Sequence, residues 1–262
     1  MDLQHRSATG LKHVGQQLWR GALLLSEAIL ARRDELRGRT LLELGAGLGL
    51  ASIVAARVAR PARVIVTDMD DEAVLDLARA NVAANVGSRE EKRVDVVVRA
   101  LDWEKEEGGS GGGGDDDGIG DLDGDGAVGV ILAADVVYDD RLTDALFAVL
   151  RRLLWPPLAG GPTPNKTRPA PYCLLALERR PVFSSAHMRV IAPGYDRFRE
   201  QLEWGNGRTP WPLEGRRLDV TAVPLAYLGE AGTPPWRGGE GDDGCLELWE
   251  IRARVEQLEG VG

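Results

Sequence analysis

The segment Glu43-Leu44-Gly45-Ala46-Gly47-Leu48-Gly49-Leu50 is the stretch of this chain best equipped to hold a ligand against bare backbone. Glycines at 45, 47 and 49 permit a tight turn and let a bound group approach without Cβ interference. Dinucleotides use a similar turn, but their G-x-G-x-x-G spacing is not kept, because position 50 is Leu50 and the third glycine comes one residue early. Glu43, two residues before Gly45, would repel a pyrophosphate, whereas the zwitterionic, sulfonium-bearing tail of S-adenosylmethionine tolerates it. No Gly-Lys-Ser/Thr follows, which excludes a P-loop.

Three more clusters suit the same ligand. Asp68, with Met69 beside it, lies 23 residues after Gly45 at the end of a β-branched run. A carboxylate there can accept two hydrogen bonds from ribose hydroxyls. The alternative is that Asp68 or Asp70 caps the helix that starts near Asp71. Asp102-Trp103 ends a third apolar run and suits an adenine base, unless Trp103 is simply buried against the segment that follows. Ala134-Asp135-Val136-Val137-Tyr138-Asp139 ends a fourth run, nearest the expected position of the methyl group. Transfer from a sulfonium needs in-line attack by a neutral nucleophile, and a lysine amine is mostly protonated at neutral pH. Asp135 and Tyr138 are placed to orient such an amine, with the acceleration coming from proximity and alignment and with no metal or covalent intermediate. For Asp135 the alternative is capping of the next helix. Trp19 either covers the cofactor or anchors the first helix.

Positioning these residues requires alternating elements. Strands are expected at 39–44, 63–67, 94–101, 128–134, 172–177, 218–223 and 245–251, and helices over Leu11–Arg33, Leu48–Ala59, Asp71–Asn85, Asp139–Leu154 and Tyr195–Glu203. Tyr195, Phe198 and Met188 are read as helix-packing residues. Short apolar strands alternating with helices indicate an α/β, doubly wound, mostly parallel seven-stranded sheet. The last two strands have no helix between them and form an antiparallel C-terminal hairpin. Residues 1–10 are polar and expected to be disordered. Residues 11–254 form a single domain with insertions at 104–127, 156–171 and 229–244, and 255–262 is a tail.

Composition narrows the function classes. With 44% hydrophobic residues in 262, one domain can bury a full core. The net charge of −9 is concentrated, since residues 104–125 hold nine acids and one lysine, a charge of −8, which leaves −1 elsewhere. No broad basic stripe points to nucleic acid. Asp121, Asp123, Asp125 and Gly126 mimic the start of a calcium loop, but the twelfth position is Leu132, inside a core strand. Cys173 and Cys245 lack metal spacing and are expected as reduced buried thiols. Apolar stretches fall short of the ~18 residues a membrane span needs. An intracellular monomer, cytoplasmic or nuclear, is expected.

Taken together, WRGALLL at 19–25, ELGAGLGL at 43–50, TDMD at 67–70, LDW at 101–103 and ADVVYD at 134–139 resemble the seven-strand protein methyltransferases called methyltransferase family 16. The resemblance implies the class I S-adenosylmethionine methyltransferase fold and methyl transfer to a lysine side chain of a protein substrate. By it, Asp135 to Tyr138 match the family's D-x-x-Y signature beside the acceptor lysine. Trp19, Glu43, Gly45, Gly47, Asp68, Trp103 and Ala134 match positions that contact the cofactor. With the readings above, the candidate cofactor-binding set is Trp19, Glu43, Gly45, Ala46, Gly47, Gly49, Asp68, Met69, Asp102, Trp103 and Ala134, and the catalytic pair is Asp135 and Tyr138. A small-molecule methyltransferase on the same fold, or a non-catalytic module whose acidic tract holds basic proteins, are the competing readings.

Overall fold

The computed structural model describes residues 1–5, 15–86, 94–104, 128–154, 169–185, 188–203, 213–220 and 245–254. In chain order these hold α1 (Arg20–Ala31), α2 (Arg33–Leu36), β1 (Thr40–Leu44), α3 (Leu50–Val58), β2 (Arg63–Asp68), α4 (Glu72–Val86), β3 (Asp95–Ala100), β4 (Val130–Ala134) and α5 (Asp140–Leu154). They continue with β5 (Tyr172–Glu178), β6 (Val182–Ser184), β7 (Arg189–Ile191), α6 (Tyr195–Glu203), β8 (Leu213–Leu218) and β9 (Leu246–Ala253). Seven strands form one sheet in the order β3-β2-β1-β4-β5-β9-β8, and β9 alone runs opposite to the other six.

The central strands read as largely apolar runs because both of their faces are covered. Leu42, Leu44, Ile131 and Leu175 pack with Phe147 and Leu150 of α5 and Phe198 of α6. Leu41, Val64, Leu132 and Leu174 pack with Leu25 and Ile29 of α1 and Val54 of α3, and Val82 of α4 joins this side. From β1 the chain steps outward to β2 and β3, then returns to β4 on the other side of β1. The strand order therefore reverses between β1 and β4, and a ligand crevice opens at their carboxyl ends.

Several expectations need correction. The first helix begins at Arg20, with a short turn at 15–17 before it, and residues 11–14 lie outside the described set. The late strand is Leu213–Leu218 rather than 218–223. It is an edge strand, where charged residues are tolerated, and its Arg216 and Arg217 reach Glu250 and Glu247 of β9 at 3.3 and 3.1 Å. Residues 1–5 are docked rather than loose. Asn85 exchanges hydrogen bonds with the Asp2 backbone, and Asn81 does so with that of Gln4. Met188 packs against no helix; it lies in the turn of a separate β6–β7 hairpin that the sequence reading missed. Tyr195 and Phe198 do pack, with Phe198 wedged between Phe147 and Trp249. Cys173 is buried, but Cys245 is half-buried. Apart from Glu104 and residues 169–171, the three insertions lie outside the described residues, as do 6–10, the calcium-loop mimic at 121–126 and the tail at 255–262. Among the described residues, no helix is long and apolar enough to cross a membrane.

One carboxylate fastens the first crossover. Gly49, at the N-cap position of α3, has no side chain to offer the helix. Glu43, reaching up from β1, accepts the Ser52 N–H on Oε2 at 3.0 Å. Burial pushes the Glu43 carboxyl up to about 7, against the pull of Ser52 and with the charge of Asp68 adding to the rise. The folded chain therefore keeps a proton that the unfolded chain releases between the ordinary carboxyl range and pH 7. Stability is highest at the acid end of that window, declines as pH rises through it and levels off above. Glu43→Gln keeps an acceptor for Ser52 without the charge, so above pH 7 it should stabilise the fold by about 2–3 kcal/mol. Urea unfolding between pH 5 and 8 should show the wild-type slope flattened in the variant; equal slopes would mean that Glu43 titrates normally.

Candidate active site

The residues singled out from the sequence converge on the carboxyl edge of the sheet in two adjoining groups. The first surrounds the glycine turn. Gly45 has φ +64°, and a side chain there would meet Val136 Cγ1 at 2.7 Å and the Trp103 ring at 3.2 Å. The turn is thus walled by two apolar groups that leave room only for hydrogen. Ala46 donates its N–H to the Thr67 carbonyl at 2.9 Å, and its carbonyl accepts the Gly49 N–H at 2.8 Å. Asp68, at the end of β2, accepts the Gly47 N–H on Oδ2 at 2.7 Å and the Met69 N–H on Oδ1 at 2.8 Å. Burial raises the Asp68 carboxyl, and the two N–H donors resist the rise. Met69 itself is exposed. Asp71, rather than Asp68 or Asp70, caps α4 by accepting the Ala73 N–H at 2.9 Å.

Asp102 folds its carboxylate back onto the Glu104 N–H at 3.1 Å, a local turn that swings Trp103 toward Gly45. The Trp103 Nε1–H is buried and finds no hydrogen-bond partner among the described residues. A second such atom lies on the turn at 15–17. The Gly15 carbonyl sits 2.8 Å from where a Cβ on Gly47 would be, so this segment rests on the glycine turn. Next to it, Gln16 is 2% exposed, and its Oε1 has no partner among the described residues. Nothing in the sequence marked Gln16, a polar residue in a polar stretch; only the fold carries it inside.

The second group sits where β4 and β5 end. Ala134 is the last residue of β4 and pairs with Ala176. Asp135 follows with φ +55°, unusual for a residue with a Cβ. Its Oδ2 accepts the Gly21 N–H at 2.6 Å and its Oδ1 accepts the Glu178 N–H at 2.9 Å, while the Arg180 guanidinium stands 3.6 Å from Oδ1. Asp135 therefore caps α1 from across the fold, and does not cap the helix that follows it. That helix, α5, is capped by Asp139, which accepts the Leu142 N–H at 3.0 Å. Burial raises the Asp135 carboxyl, opposed by Glu178, Gly21 and Arg180. Trp19 is the N-cap residue of α1 but offers that helix no side-chain bond, and Arg180 lies over its ring at 4.4 Å. Half-buried there, it stands at the start of the first helix. Tyr138 stands half-exposed on the rim; burial raises its phenol first, then the charges of Asp68 and Asp139.

Residues 2–191 match the family model described as lysine methyltransferase, which is methyltransferase family 16. Methyltransferase-like protein 22 of Mus musculus is 39% identical over 205 residues, covering 77% of this chain and 48% of that protein. The Homo sapiens protein of the same name is 38% identical over 204 residues, covering 76% of this chain and 47% of that protein. Protein N-lysine methyltransferase METTL21A of Danio rerio is 32% identical over 140 residues, 53% of this chain and 56% of that protein. The chain spans about half the length of the curated relatives it matches. The family match runs through every element from α1 to β7, including both halves of the crevice, and the chain belongs to the lysine methyltransferase family 16.

Proposed function

We propose that this chain is an S-adenosylmethionine-dependent methyltransferase that acts on a lysine side chain of a protein, working inside the cell as a monomer, with residues 11–254 as its catalytic domain. The observation that carries the reading is the walled glycine turn flanked by orphaned buried polar atoms. The ring of Trp103, whose Nε1 has no partner among the described residues, lies beside Gly45, and Gln16, whose Oε1 has none either, follows the Gly15 carbonyl that covers Gly47. An unpartnered buried donor or acceptor costs about 1–3 kcal/mol, which a polar ligand seated between them would remove. Family membership and the likeness to protein N-lysine methyltransferase METTL21A support lysine as the acceptor.

In this reading the backbone of Gly45, Ala46, Gly47 and Gly49 cradles the cofactor, Asp68 serves its ribose, and Asp102 and Trp103 serve its base, with Met69, Ala134 and Trp19 at the margins. Glu43 works from beneath, since its carboxylate is committed to Ser52. The bound cofactor supplies an electrophilic methyl group on a sulfonium. Tyr138, half-exposed at the mouth, orients the incoming amine with its ring and hydroxyl. Asp135 is a positioning residue, because the carboxylate assigned to the amine by the sequence pattern is held by two main-chain donors. The exposed carboxylates of Asp139 and Asp140 draw the lysine ammonium in, and its proton leaves to solvent before attack. Alignment then provides most of the rate.

Three measurements bear on this. Incubation with methyl-labelled S-adenosylmethionine and a cell extract should label protein bands at lysine; label confined to small molecules would overturn the acceptor assignment. In calorimetry with S-adenosylhomocysteine, Asp68→Ala should weaken binding by about 1.5–3 kcal/mol, and unchanged affinity would remove Asp68 from the cofactor site. Asp135→Ala should lose turnover together with about 1–3 kcal/mol of folding stability, because two main-chain donors are left bare. Lost turnover at full stability would instead restore a direct chemical role for Asp135.

A further inference from the structure

The exposed apolar side chains of this chain are not scattered. Among the described residues eight large ones are exposed, and apart from Met1 all lie on the loops and the hairpin at the carboxyl edge of the sheet. Leu18 precedes α1, Met69 follows β2 and Tyr138 follows β4. The other four, Val182, Phe183, Met188 and Val190, belong to the β6–β7 hairpin, which leaves the edge directly after β5. Phe183 and Val190 are cross-strand partners, so they share one face of the hairpin, each 64% exposed, and Met188 in the turn is 76% exposed. The hairpin is not free to drift from the site. Asp140 accepts the Gly194 N–H at 2.8 Å, and the Gly194 backbone lies against that of Tyr138.

A contiguous exposed apolar patch rimmed by polar groups marks a macromolecular contact. The charges nearby narrow the occupant. Asp70, Asp139 and Asp140 are exposed beside Met69 and Tyr138, so that end of the rim is acidic, while Arg180 stands against Asp135 and Arg189 is exposed on the hairpin. Two copies facing each other through this rim would bring those carboxylates together, which opposes a self-complementary dimer. A polypeptide presenting a cationic side chain complements the rim in both respects. We infer that the β6–β7 hairpin is the docking surface for the substrate protein, holding apolar residues that flank the acceptor lysine while the acidic mouth receives the ammonium. The inference rests on the reading of the chain as a protein-lysine methyltransferase.

The test is Phe183→Ser combined with Val190→Ser, both exposed and outside the cofactor crevice. With labelled S-adenosylmethionine and a graded series of cell extract, wild type gives a saturating protein-labelling curve. The double variant should need at least fivefold more extract for half-maximal labelling, with S-adenosylhomocysteine affinity and melting temperature unchanged. Phe183→Leu with Val190→Ile, which keeps the apolar face, should label like wild type. Wild-type labelling by the serine variant overturns the docking surface and leaves the enzyme reading standing. So does a wild-type dimer in sedimentation that the serine variant dissociates, because the occupant is then a second copy. If wild type labels no protein at all, both readings fall.

Discussion

Helix α1 begins without a side-chain cap of its own, and β5 ends with a main-chain donor that the sheet does not pair; the carboxylate of Asp135 meets both needs at once. An uncapped helix start or a bare buried N–H each costs on the order of 1 kcal/mol or more. Joining them through one residue locks α1, β4 and β5 together at the crevice. The left-handed backbone at Asp135 is held in place by that joint. It also sends the chain onward in a useful direction. Val136 goes against Gly45, Tyr138 to the rim, Asp139 to the start of α5 and Asp140 to Gly194.

The two halves of the site are therefore mechanically one. The glycine turn is pressed from one side by Val136 and Trp103 and from another by the Gly15 carbonyl, and is tied by Gly47 to Asp68. Asn81 adds a bond from α4 to the Leu48 carbonyl within the same turn and, through Gln4, holds the first residues of the chain nearby. A ligand seated on the turn thus touches a structure whose supports come from five separate segments.

Much of this was legible beforehand, for a physical reason. Strands covered on both faces are largely apolar, so β1, β2, β4 and β5 stand out between glycine and proline punctuation. The crevice residues sit at strand ends because the strand order reverses there. The misses share a different cause. Which carboxylate meets which N–H depends on approach across the fold, so no local pattern shows that Glu43 also holds α3 and Asp135 also holds α1. The caps fell one residue or more from the expected acids, to Asp71 and Asp139. Strand β8 was misplaced because its charges are paid off by partners on β9 that no local pattern reveals. The β6–β7 hairpin is too short to show a period.

The placement of β9 also sets the order in which the molecule can mature. Strands β2 to β5 each pair with a strand that precedes them in the chain, but β9 must insert between β5 and β8 after every other described strand has been synthesised. Until then the outer edge of β5 has open hydrogen-bonding groups, and the ring of Phe198 lacks its Trp249 wall. A nascent chain stalled at that stage carries a sticky, unsealed seam, the kind of surface that chaperones shield.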